Sequence, residues 1–282
     1  MGVVVVVWGI GPPITKLITA PPLVGVLYRF GLSAPIMWMI MRARGGRLSW
    51  QLMRSTMLPG LSFGVNLIFV FAALQEATVS VLSVVVANQP ALLLFLAGPL
   101  FGERPTRKHA LLTLGGVAGA AVVILGAGDE VRASGLGIGL AVLALLTFTV
   151  YFVLTRIART GTAVDPIEWM TGINIWSFLA AVPPALVFMD RSDFAQVGGR
   201  DWLWIILISL FTGALGHVIM SWIHGYIEAA RSSLYVLAMH VVAVSLAWPI
   251  HDEPVTIIQA LGGVIVLVCV AAVIRLPARD PH

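Results

Sequence analysis

The sequence predicts an all-α integral membrane protein of ten transmembrane helices, arranged as two inverted five-helix repeats. Three observations carry that expectation: an extreme apolar composition, apolar stretches of spanning length bounded by turn residues, and a one-sided distribution of basic residues. Of the 282 residues, 59% are hydrophobic and 11% are charged, and the mean hydropathy is +0.97. Soluble domains hold roughly 45–50% apolar and about 25% charged residues. A soluble core of this size cannot hide so much apolar surface, so lipid must cover the remainder. One span takes about 20 mostly apolar residues, and ten take roughly 200. That leaves short loops around a single membrane domain.

Taken in order, the spans fall near 3–20, 22–42, 52–74, 78–100, 107–126, 135–157, 166–189, 202–225, 229–250 and 255–275. Turn residues separate them, among them Pro21-Pro22, Gly45-Gly46, Arg104-Pro105, Asp165-Pro166 and Gly198-Gly199. A further connection, Gly126-Ala127-Gly128-Asp129, divides the chain near its middle. The longest connection, near 190–201, carries Asp190, Arg191, Asp193, Arg200 and Asp201 and must lie outside the hydrocarbon. Lys16 sits inside the first apolar run and Pro12-Pro13 stands where a cleavage site would fall, so no cleaved signal peptide is expected.

Basic residues set the orientation. With the N-terminus in the cytoplasm, twelve Arg and Lys fall on cytoplasmic connections and three, Arg132, Arg191 and Arg200, on the opposite side. Both termini are therefore expected inside, with an even number of spans. This topological use accounts for the net charge of +4, and nucleic acid is not an expected partner.

The chain also repeats itself. Pro99 and Glu103 match Pro249 and Glu253 at a constant offset of 150, and each pair is followed by Gly-Gly-Val, at 115–117 and 262–264. Trp8 precedes Lys16 by eight residues, as Phe148 precedes Arg156. Repeat one covers about 1–128 and repeat two about 132–277. Halves with five helices each insert in opposite directions, which is the plan of many secondary transporters.

These residues carry a family likeness. Trp8-Gly9 with Lys16, then Arg29-Phe30, resemble the opening of EamA-type drug/metabolite transporters. Phe101-Gly102-Glu103-Arg104 with Gly115-Gly116, echoed at Glu253 with Gly262-Gly263, resemble that family's repeated end motif. The chain departs from the pattern at Asp252 and Phe148. The resemblance implies ten helices, cytoplasmic termini, a bacterial inner-membrane location, a central cavity between repeats, and efflux. Within the superfamily the chain looks most like exporters of aromatic and other neutral amino acids.

Polar residues within spans are costly and face the bundle interior. Asn88-Gln89-Pro90 lies mid-span, and Pro90, lacking an N–H, leaves the Val86 carbonyl free and can kink the helix. Neighbouring amides beside a free carbonyl suit a zwitterion's two charged ends. By the repeat offset His240 is the equivalent of position 90. Interruptions at matching points of two halves mark binding sites, although interhelical hydrogen bonds would explain the same residues. His217, Ser221 and His224 share a helix face. His217 could carry a coupling proton or serve as a neutral core hydrogen-bonding group. Lys16 and Arg29 lie toward the outer half, where snorkelling is the default. A cavity-facing Lys16 would attract a carboxylate. Trp8, Asn66 and Tyr151 complete the candidate substrate-binding wall.

Several chemistries are missing. Cys269 is the single cysteine and reads as packing. The histidines lack carboxylate partners, so neither a metal site nor a cofactor is expected. No phosphate-binding loop, His-Glu-x-x-His or Gly-x-Ser-x-Gly motif occurs, which argues against ATP drive and against an intramembrane enzyme. The Gly-x-x-x-Gly pairs 60/64, 115/119 and 135/139 are expected to pack helices within one fold rather than to build a dimer. The expected partners are lipid and a small neutral amphiphile.

Overall fold

The computed structural model describes residues 2–101, 106–125, 134–159, 164–223, 226, 229–252 and 255–275. The motif residues Gly102, Glu103, Arg104 and Glu253, the connection at 126–129, and Arg132, His224 and Arg279 lie outside them. Helical structure occupies every predicted span. In chain order the α-helices are α1 (Gly2–Lys16), α2 (Pro22–Ala43), α3 (Trp50–Glu76), α4 (Val79–Val86), α5 (Gln89–Phe101), α6 (Arg107–Leu125) and α7 (Gly135–Arg159). They continue as α8 (Pro166–Phe188), α9 (Arg191–Ala195), α10 (Gly199–Leu207), α11 (His217–Ile223), α12 (Ala229–His251) and α13 (Ile257–Ile274). A π-helical segment, Ile208–Gly216, joins α10 to α11 in one rod.

Among the described residues, five helices are long and apolar enough to cross a membrane unaided: α2, α3, α7, α8 and the Gly199–Ile223 rod. Helix α1 and the stretches Val79–Leu93, Val236–His251 and Ile257–Ala272 are shorter apolar helices. The outer surface suits lipid, with Phe95, Leu186, Phe188 and Ile257 each more than 70% exposed.

Local chemistry explains the boundaries. Ser49 caps α3 by accepting from the Leu52 N–H at 3.1 Å, and Asp165 caps α8 by accepting from Ile167 and Glu168. The first span ends sooner than its predicted limit at residue 20. After Lys16 the chain turns, and the Thr19 N–H and hydroxyl both bond the Asp201 carboxylate at the start of α10. The fourth span is two helices. Asn88 closes α4 by donating from Nδ2 to the Val84 carbonyl at 2.9 Å, and Pro90 sits in the first turn of α5, where its missing N–H costs nothing. Pro12-Pro13, by contrast, leave α1 continuous.

Helix packing is indifferent to exchanging the halves. α2 packs on α8, α4 and α5 pack on α12, and α6 packs on α13, each pairing an element with its counterpart. α3 on α7 is matched by the Gly199–Ile223 rod on α1, and α1 on α12 by α7 on α4 and α5. Small residues permit the closest approaches. A Cβ on Gly64 would stand 2.6 Å from the Ser177 carbonyl of α8, and one on Gly119 would stand 2.9 Å from the Gly262 carbonyl of α13. Gly135 and Gly139 differ from expectation: nothing lies within 4 Å of a Cβ at either, so that pair packs no helix among the described residues.

Candidate functional site

A cavity of about 110 Å³ lies at the junction of the two halves. Its wall comes from α1 to α4 of the first half and from α7, the π segment, α11 and α12 of the second. Of the residues expected at a site, Trp8, Asn66, His217 and His240 line it. Lys16, Asn88, Gln89, Pro90 and Tyr151 do not. The contribution of α4 comes one turn earlier, from Leu82, Ser83 and Val86.

The Trp8 indole rests on the His217 imidazole, ring centroids 4.6 Å apart, with Phe148 edge-on at 6.1 Å. Phe63 stacks on Tyr151 at 4.7 Å and meets the His217 ring at 4.5 Å. The Tyr151 hydroxyl lies 3.3 Å from His217 Nδ1, so Tyr151 sits behind the wall and orients a residue in it. Close aromatic packing of this kind gives a rigid apolar surface. The α1 backbone is held from outside by His251, whose Nε2 donates to the Pro13 carbonyl at 2.8 Å.

Polar groups in the wall are few. Asn66 Nδ2 donates to the Ala144 carbonyl at 2.7 Å and to Thr147 Oγ1, which ties α3 to α7. Trp8 Nε1, Ser83 Oγ and His240 Nδ1 are buried without a hydrogen-bond partner among the described residues. Buried polar atoms are nearly always satisfied, so three orphans around one cavity mark a place where a polar solute would fit. Behind the wall, Gln89 is 1% exposed, and both its amide atoms are orphaned too. No cluster of His, Cys, Asp or Glu among the described residues could hold a metal ion.

The EamA-like transporter family's sequence profile matches residues 1–125 and again residues 135–275. The chain belongs to the EamA-like transporter family. It is thus a multi-pass membrane protein of a small-molecule transporter family, and the same family unit occurs in each half. A solved structure, titled only as the crystal structure of a protein, superposes on this EamA-like chain with a TM-score of 0.77. That match covers 97% of this chain and 94% of the other at 18% identity, and it shows the fold alone. No curated protein matches the sequence.

One wall residue of this EamA-like transporter was not anticipated. Arg29, expected to snorkel, instead lines the cavity at 5% exposure and donates from Nη2 to Thr212 Oγ1 at 3.2 Å. The π segment sets Thr212 and Ser209 against α2, where the Ser209 hydroxyl, donating to the Ile205 carbonyl at 2.6 Å, lies 3.2 Å from the Arg29 carbonyl. An ionisable residue within a span was the available sequence signal. Nothing in Ile208–Gly216 announces a π turn. The remaining wall residues, such as Phe63 and Thr15, are ordinary apolar or small polar side chains that sequence cannot single out.

Proposed function

We propose that this chain is a secondary transporter that exports small amphiphilic metabolites, foremost amino acids with neutral side chains, by alternating access. The carrying observation is the cavity to which both halves contribute, with an aromatic wall and a few unpaired polar atoms. Carriers hold their solute at such a junction between repeats. The exchange-symmetric packing supports ten spans in two inverted repeats, about 1–128 and 132–277. The twelve-to-three basic bias supports cytoplasmic termini, and the family supports a bacterial-type inner membrane. At about 110 Å³ the cavity is smaller than the roughly 300–1,000 Å³ of typical ligand sites, so loading requires the helices to part.

An intramembrane enzyme is the competing class. It needs a nucleophile with its base or a metal, and the described wall offers Ser83 and Thr212 without a carboxylate-supported histidine. The test is flux of a labelled amino-acid panel in sealed proteoliposomes, with and without a pH gradient, beside product analysis in detergent. Saturable flux of neutral amino acids with unchanged chemistry is expected. Strong transport of polycations alone, or turnover without flux, would overturn the proposal.

A further inference from the structure

Arg29, itself buried, brings a permanent charge into an apolar wall, and no described residue neutralises it. Its guanidinium has five N–H donors, of which one bonds Thr212 Oγ1, and no carboxylate among the described residues pairs with it. Among the described wall residues Arg29 is the single permanently charged group. Thr212 cannot supply more. Its own hydroxyl proton is committed to the Ile208 carbonyl at 2.6 Å, so it offers Arg29 a lone pair and no charge. An unpaired buried charge is among the costliest features a protein can keep. A solute anion in the cavity would remove that cost, and the planar guanidinium fork matches the two oxygens of a carboxylate.

We infer that Arg29 is the anchor for the acid group of the transported solute. The substrate class is therefore small acids with an apolar body, for which an ammonium group is dispensable. The described wall has no carboxylate to receive an ammonium. Its neutral acceptors, such as the Asn66 carbonyl oxygen, could only bond one weakly. The Trp8, Phe63 and Phe148 rings receive the apolar part.

The inference rests on the transporter reading for its site, and binding separates the two. Three solutes share one 3-methylbutyl body: 4-methylpentanoate, leucine and isopentylamine. Affinities are measured on the full-length protein in detergent by calorimetry at pH 7.4, which also avoids leakage of the weak acid through vesicles. We expect 4-methylpentanoate to bind at least as tightly as leucine, and isopentylamine at least tenfold more weakly. Arg29→Gln should weaken both acids about tenfold or more and erase their advantage over the amine. Arg29→Lys should keep part of it. Gly139→Leu, outside the wall and with nothing within 4 Å of its Cβ, should leave the order unchanged. If Arg29 merely holds the π segment, Arg29→Gln will lower the melting temperature while the acid keeps its lead, and the inference is wrong. Should Arg29→Gln fail to fold, the wild-type order decides: equal affinity for acid and amine sinks the inference. Acid binding without any flux would instead overturn the transporter reading and leave the role of Arg29 standing.

Discussion

At the scale of single residues, the orphaned amide of Gln89 is the most informative feature outside the cavity wall. It is buried at the start of α5, and neither Nε2 nor Oε1 has a partner among the described residues. Leaving such a group unbonded costs about 1–3 kcal/mol, whereas an apolar side chain of similar shape avoids the cost. Gln89→Leu should therefore raise the melting temperature by a few degrees. If the amide finds its partners when the helices part, the same variant should slow transport a few-fold. Thermal unfolding and initial flux at matched expression check both halves; higher stability with unchanged flux would show that the amide has no part in the cycle. Asn88 behaves differently, because its side chain already caps the Val84 carbonyl at 2.9 Å. The residue types Asn, Gln, His and Trp were readable as candidates. Which of them reach the cavity was not, since that depends on helix rotation, and rotation depends on packing partners far away in sequence. Ser83 lies on α4 and Asn88 in the break just after it, five residues further on.

At the scale of elements, small residues set how closely helices approach. Gly64 on α3 faces the α8 backbone, where a Cβ would come within 2.6 Å of the Ser177 carbonyl and 2.9 Å of its Cα. Backbone cannot yield as a flexible side chain would, so the two helices must separate. Gly64→Leu should cost about 1–3 kcal/mol. Gly139→Leu, with nothing within 4 Å of its Cβ, should be close to neutral. Size-exclusion profiles and melting curves of the two variants in the same detergent give the comparison, and equal losses would contradict the packing described. The spans themselves were legible because apolar length and turn residues are local properties. Pro90 announced a break, which fell at residues 87–88, just ahead of it. The π segment was illegible because Ile-Ser-Leu-Phe-Thr-Gly-Ala-Leu-Gly fits an α-helix equally well. The Ser209 and Thr212 hydroxyls bond the carbonyls four residues back, of Ile205 and Ile208, each at 2.6 Å, and both residues also meet Arg29 on α2.

At the scale of the whole molecule, the exchange-symmetric packing implies a mechanism as well as an architecture. α2 on α8 and α6 on α13 each pair an element with its counterpart, and the proposed alternating access would rock the halves about those contacts to present the cavity to either side. Ser83 is a reporter of that motion: it lines the cavity, is 2% exposed, and its hydroxyl bonds no described residue. Cys269 is the single native cysteine, so Cys269→Ala supplies a clean background for Ser83→Cys. A membrane-impermeant maleimide should label Ser83→Cys slowly from either face of sealed vesicles, because each face gains access only in part of the cycle. A bound solute of the transported class should slow labelling several-fold from both faces, since it fills the space beside the thiol. Labelling confined to one face under every gradient would mean that the cavity never crosses between sides. The molecule would then be a one-sided binding protein in spite of its symmetric packing.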